Sequence, residues 1–132
     1  MKCLIVDDDE LSRQLIAEVL REVATSEMAP NGTEAVKKFR AAMRAGDPYD
    51  LIILDIIMPG MDGHEAAKAI RGIEQEQGLT PDKGVSIIVL SCLNTPKDVI
   101  ESYVSAQSAA HLVKPVSHQK LMKSLRTLEL VP

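Results

Sequence analysis

Apolar and polar positions follow two rhythms along this chain. Residues 2–6 (KCLIV), 50–55 (DLIILD) and 85–91 (VSIIVLS) are short, nearly unbroken apolar runs, as expected of strands covered on both faces. Residues 23–28 (VATSEM) predict a weaker strand, and 109–113 (AAHLV) a fifth. Between these runs the apolar residues recur at helical spacing. The stretch 10–21 (ELSRQLIAEVLR) predicts a helix that turns Leu11, Leu15, Val19 and Leu20 to one face. Pro30, Asn31 and Gly32 predict a turn, and Thr33 a cap for a helix over 34–45 that carries Ala35, Val36, Phe39 and Met43 inward. A loop rich in Pro and Gly (MPGMDG) precedes a helix from about His64 to Gln77, and 78–84 is a polar connector. Pro96 suits the first position of a helix over 96–108, and a last helix over 117–128 turns Leu121, Leu125 and Leu128 inward.

Strands that alternate with helices must run parallel, because each helix crosses over to start the next strand. The predicted fold is therefore α/β, a five-stranded parallel sheet with helices on both faces. At 132 residues the chain suits one domain with one sheet. Aromatics make up only 2% of it, so the core must be aliphatic. The net charge of −4 argues against non-specific nucleic-acid binding, which needs clustered Lys and Arg. No run approaches the ~20 apolar residues needed to cross a bilayer, and CLIV at 3–6 is too short for a signal peptide. Cys3 and Cys92 lie in apolar runs without disulfide or metal spacing, as reduced thiols of a cytoplasmic protein do.

In open parallel sheets, sites form beyond the carboxyl ends of the strands. The first strand ends in Asp7, Asp8 and Asp9, the third at Asp55 and the fourth at Ser91, and Lys114 and Pro115 follow the fifth. Asp55 closes the most hydrophobic run of the chain, LIILDIIM, where strand gives way to loop. Carboxylates gathered in one place oppose one another's ionisation unless a cation joins them. A hard divalent ion resolves that conflict, and Mg²⁺ fits best because one or two carboxylates plus a phosphate commonly hold it; Mn²⁺ is a substitute. Lys114 adds a positive charge and Ser91 a hydroxyl, the groups a phosphoryl group in transfer requires. Asp55 can then serve as nucleophile and form an aspartyl phosphate.

With VDDDELSR, LDIIMPGMDG, the SC after the fourth strand and HLVKP in this order, the sequence resembles a receiver domain of two-component response regulators. The resemblance covers nearly the whole chain, as one receiver domain over 1–132 with no output domain, similar to stand-alone chemotaxis regulators. It implies a flavodoxin-like, doubly wound sheet of order 2-1-3-4-5. It implies that Asp55 accepts a phosphoryl group from a histidine kinase or a histidine phosphotransfer protein. Asp8, Asp55 and the backbone carbonyl of Ile57 would bind Mg²⁺ directly and Asp7 through water, while Lys114 pairs with the phosphate and Pro115 follows a cis peptide bond. Asp9 reads as a helix-start residue. Such a protein catalyses only its own phosphorylation and slow dephosphorylation. Its output face, the fourth helix, fifth strand and fifth helix, engages a downstream protein effector, as a monomer or a phosphorylation-dependent dimer. Tyr103 and the basic residues Lys120, Lys123 and Arg126 would belong to that face; Lys120 stands where one dimerising subfamily carries Glu.

Several positions depart from the common pattern. His111 stands three residues before Lys114, where many receivers carry Tyr or Phe; it is either the switch ring that moves with Ser91 or a histidine packed at the strand's rim. Cys92 replaces a common Ala or Gly. A haloacid-dehalogenase-type phosphatase needs a second acid two residues after its nucleophile, where this chain has Ile57. A pseudo-receiver without chemistry is disfavoured by intact Asp7, Asp8, Asp55, Ser91 and Lys114. The stretch IRGIEQEQG resembles the third helix of receivers in hybrid kinases, so a module cut from a larger regulator stays open beside an intact or N-terminal receiver starting at Met1. Ile57 and Leu93, two residues past Asp55 and Ser91, are apolar where relatives place polar groups that orient water. Slow self-dephosphorylation is therefore expected. The decay of the phosphoryl state of purified protein with Mg²⁺ checks it, and a half-life of seconds contradicts it.

Overall fold

A computed structural model describes residues 1–56, 63–80, 83–91, 109–114 and 116–132. Strands β1 (Lys2–Val6), β2 (Thr25–Ala29), β3 (Leu51–Asp55), β4 (Ser86–Ser91) and β5 (Ala110–Val113) form one sheet in the order β2-β1-β3-β4-β5. All of its strand pairs are parallel. Helices α1 (Glu10–Leu20), α2 (Gly32–Arg44), α3 (Gly63–Glu76) and α4 (His118–Thr127) complete the described elements. The expected α/β class and strand order are both present. The predicted helix over 96–108, with Tyr103, lies outside the described residues.

The apolar runs are continuous because each strand feeds two cores. Successive side chains point to opposite faces. Leu4, Val6, Ile52, Leu54, Ile87 and Val89 join Phe39 of α2 and Ile70 of α3 in one cluster. The intervening residues Cys3, Ile5, Leu51, Ile53, Ile88 and Leu90 join Ile16 and Leu20 of α1 and Leu121 and Leu125 of α4 in the other. Burial pushes the Cys3 thiol up to about 12, so it stays a neutral, inert thiol at physiological pH. Only β2, at the sheet's edge, alternates between exposed and half-buried positions before its last residue, which explains its weak apolar signal.

Two local expectations need correction. The cap of α2 is Asn31, whose side chain accepts the Glu34 N–H at 2.9 Å, and Thr33 is exposed within the helix. Both residue types cap well, but Gly32 is itself buried as the first helical residue, so the helix starts earlier than the Thr33 signal suggested. On α1 the buried residues are Ile16 and Leu20, whereas Leu11 is 61% and Leu15 59% exposed. Val19 packs against the same core as Leu20, so the predicted face holds at its C-terminal end, while Ile16 takes the place expected of Leu11 and Leu15. Asp9 caps α1 as expected, accepting from Ser12 N–H at 3.3 Å and Ser12 Oγ at 2.8 Å.

Replacing Asn31 by Ala is expected to lower unfolding free energy by about 1 kcal/mol, while Thr33→Ala changes it by no more than roughly 0.5 kcal/mol. Urea denaturation of the two variants checks the assignment. An equal loss in both would return the cap to Thr33.

Candidate functional site

The site grows out of the strand alternation. On β1, Cys3 and Ile5 face α1 and α4; on β3, Leu51 and Ile53 do so; on β5, Ala110 and Leu112 do so. Continuing each series by two residues reaches Asp7, Asp55 and Lys114, so sheet geometry alone aims these residues to one face. Parallel register sets the ends of β1 and β3 side by side, with Val6 opposite Leu54 and Asp55 opposite Leu90, and the long Lys114 side chain reaches them across β4 from β5. Asp7, Asp8 and Asp55 each offer a carboxylate oxygen, and these oxygens lie within 4.8 Å of one another. Asp7 and Asp55 are buried, and Asp8 is exposed.

Lys114 supplies the charge that lets this cluster exist. Its Nζ donates to Asp7 Oδ2 at 2.7 Å and stands 3.4 Å from Asp55 Oδ2. Its own backbone N–H donates to the Ser91 carbonyl at 2.9 Å, which ties the turn after β5 to the end of β4. Burial works to lower the Lys114 pKa. The hydrogen bond to Asp7 and the charges of Asp55 and Asp7 outweigh it and hold the ammonium above its usual range.

The surrounding backbone fixes the acids further. Asp7 N–H donates to the Ala29 carbonyl at 3.2 Å. Asp7 Oδ1 accepts the Asp9 N–H at 3.0 Å, and Arg13 Nη1 donates to the Asp7 carbonyl at 2.6 Å. At the end of β3, Ile56 N–H donates to the Leu90 carbonyl at 3.3 Å, and Gly63 N–H donates to the Ile56 carbonyl at 2.8 Å. Gly63 must lack a side chain, because a Cβ there would overlap the Asp55 carbonyl oxygen. The start of α3 is thereby pressed against the backbone that carries Asp55.

Among the expected site residues, the structure brings Asp7, Asp8, Asp55 and Lys114 together. Ser91 ends β4 one residue past the Asp55 partner Leu90 and is fully buried. His111 is half-buried in β5, paired with Val89. Ile57, Cys92, Leu93 and Pro115 lie outside the described residues. Lys120, Lys123 and Arg126 are exposed on α4, opposite Leu121 and Leu125. Two features had no part in the expected site. One is the Arg13 contact, which an arginine on an amphipathic helix does not advertise. The other is an apolar groove of about 360 Å³, lined by Leu15, Val19, Leu90 and Val116 together with Lys114.

The donor set suits a hard divalent cation. It consists of carboxylate oxygens only, two of them on buried residues, with a surface-facing third. A parallel five-stranded sheet whose carboxyl edge carries such a cluster beside a lysine defines a class of α/β domain. The comparisons give the family. The response regulator receiver domain family matches residues 3–126, and the chain belongs to it.

A rice (Oryza sativa subsp. japonica) relative, "Two-component response regulator ORR41", is 34% identical over 124 residues, covering 92% of this chain and 88% of that protein. Chemotaxis protein CheY4 of Vibrio cholerae superposes with a TM-score of 0.79 at 31% identity, covering 96% of this chain and 97% of that one. The receiver domain of the histidine kinase CKI1 from Arabidopsis thaliana, complexed with Mg²⁺ and BeF₃⁻, gives a TM-score of 0.81 at 27% identity, covering 97% and 89%. Other relatives are far longer: the chain spans 16% of the "Sensory/regulatory protein RpfC" of Xanthomonas campestris pv. campestris, at 32% identity. The chain is thus homologous to response regulators and to receiver modules of hybrid histidine kinases. The flavodoxin-like fold implied by the sequence is the fold observed.

Because the Lys114 pKa is raised on folding, its bridge contributes stability that is fully present below the unfolded value of about 10.4 and is lost as pH rises through the folded value. Denaturant midpoints from about pH 8 to about pH 11.5 are expected to fall at the high end in both the wild type and Lys114→Met, because the buried Cys3 thiol also resists ionisation there, and to fall less steeply in Lys114→Met. A wild-type fall beginning near neutral pH, absent in Lys114→Met, would contradict the bridge.

Proposed function

We infer that this chain receives a phosphoryl group on Asp55 from a histidine kinase or a histidine phosphotransfer protein, and passes the signal to a downstream protein effector. The convergence of Asp7, Asp8, Asp55 and Lys114 at one sheet edge is the observation that carries this. Asp7, Asp8 and Asp55 would hold Mg²⁺, with the Ile57 carbonyl as a further ligand. When bound, Mg²⁺ supplies positive charge to the phosphoryl oxygens. Mn²⁺ offers the same charge and accepts the same oxygen donors.

The chain's own residues account for the rest. A carboxylate oxygen of Asp55 attacks phosphorus; the P–O bond forms as the P–N bond of the phosphohistidine breaks. The electron pair of that bond returns to the imidazole nitrogen, which takes up a proton. Lys114 already stands 3.4 Å from Asp55 Oδ2, so its ammonium can shift from the carboxylates to the incoming phosphate. The buried Ser91 hydroxyl offers a second donor. Phosphorylation adds roughly −1.5 to −2 charge at this edge. Lys114 and Ser91 are drawn towards it, which biases a two-state equilibrium in the loops after β3 and β4. His111 in β5 is the ring that would follow Ser91.

The chain performs no turnover on another substrate in this account; it modifies and slowly restores itself. Among the described residues no helix is long and apolar enough to cross a membrane; a cytoplasmic location belongs to the proposed role. Incubation with acetyl phosphate and Mg²⁺ is expected to add the mass of one phosphoryl group to the protein. Asp55→Asn is expected to lose that addition while keeping its fold by circular dichroism. Equal phosphorylation of Asp55→Asn would move the acceptor elsewhere, and an unmodified wild type would remove this function.

A further inference from the structure

Arg13 sits half-buried on α1 beside the acidic cluster, yet it forms no ion pair among the described residues. Its guanidinium instead donates to a main-chain oxygen, the Asp7 carbonyl, at 2.6 Å. The position of that oxygen explains the choice. Asp7 is the first residue past β1, and its N–H still continues the ladder to Ala29. Its carbonyl belongs to the peptide plane that enters Asp8. The plane that leaves Asp8 carries the Asp9 N–H, and this is held by Asp7 Oδ1 at 3.0 Å.

A residue has only two soft backbone dihedrals, and they lie between its two flanking peptide planes. Arg13 holds the plane before Asp8, and the Asp7 carboxylate holds the plane after it. The backbone of Asp8 is therefore fixed from both sides, although Asp8 is the exposed member of the cluster. Without the Arg13 bond the first plane would lose that hold, and the Asp8 carboxylate would be free to turn away from Asp7 and Asp55.

We propose that Arg13 is a positioning residue for cation binding, which orients the Asp8 carboxylate through the Asp7 carbonyl and so sets the divalent-cation affinity of the pocket. This rests on the assignment of the acidic pocket as a Mg²⁺ site. Two effects of Arg13 have opposite signs. As a bare positive charge it repels an incoming cation, so its removal tightens binding. As a positioning group it pre-forms the ligand set, so its removal weakens binding. The sign of the change decides between them.

The test is calorimetric titration of the full chain with Mg²⁺, with melting temperature recorded in its absence. At about 0.5 M KCl the Debye length is roughly 4 Å, which suppresses the bare-charge effect. Arg13→Met keeps the aliphatic stem and removes every donor. Its dissociation constant is expected to rise about tenfold, the lower range for loss of a group that orients a metal ligand. Arg13→Lys keeps a charged donor on a long stem and is expected to recover part of the affinity.

An unchanged or tighter constant in Arg13→Met overturns the proposal, whatever happens to the melting temperature, because a structural role alone lowers only the latter. If Arg13→Met does not fold, Arg13→Gln, whose amide is too short to reach the Asp7 carbonyl, decides on the same titration. A wild type that takes up no Mg²⁺ removes the pocket assignment and the proposal with it. A wild type that binds while the variants bind equally removes the proposal alone.

Discussion

The Lys114 ammonium between Asp7 and Asp55 is the interaction on which the rest of this structure turns. It joins residues 107 positions apart. Carboxylate oxygens within 4.8 Å of one another repel unless a positive charge stands among them. Lys114 supplies that charge in the cation-free chain, and its raised pKa keeps it charged throughout the physiological range. The same group then matters twice. It permits buried acids at the end of an apolar strand, and under the proposed function it would meet the incoming phosphoryl group.

Everything behind the site serves to hold that edge still. Each central strand is buried on both faces, so a one-residue slip would exchange its two side-chain sets between the cores. Register is thus pinned by packing, and register decides which residues emerge together at the carboxyl edge. Gly63 brings α3 against the Asp55 backbone. The Lys114 N–H fastens the turn after β5 to β4.

Much of this was legible in the sequence, for identifiable reasons. The continuous runs at 3–6, 51–54 and 87–90 name the doubly covered strands, and their ends name Asp7, Asp55 and Ser91 without any knowledge of packing. The α1 face was misread in its first half, at Leu11 and Leu15, because these obey helical spacing with Val19 as well as Ile16 does with Leu20. Periodicity finds a stripe, but the sheet chooses which of two adjacent stripes is covered, and that choice is tertiary. The α2 cap was misplaced because Asn31 and Thr33 are both good caps, and the bond from Glu34 N–H to the Asn31 side chain, which separates them, shows only in the fold. Arg13 gave no signal at all: its partner is a backbone oxygen created by the fold, not a residue type a pattern can show.

The central claim is that the acids exist to hold a divalent cation. Thermal melting at fixed ionic strength, with Mg²⁺ exchanged for Na⁺, tests it most directly, because a ligand that binds only the folded chain must stabilise it. The melting temperature is expected to climb with Mg²⁺ concentration in the wild type and to stay flat in Asp8→Asn. A wild type that melts at the same temperature in both salts would contradict it.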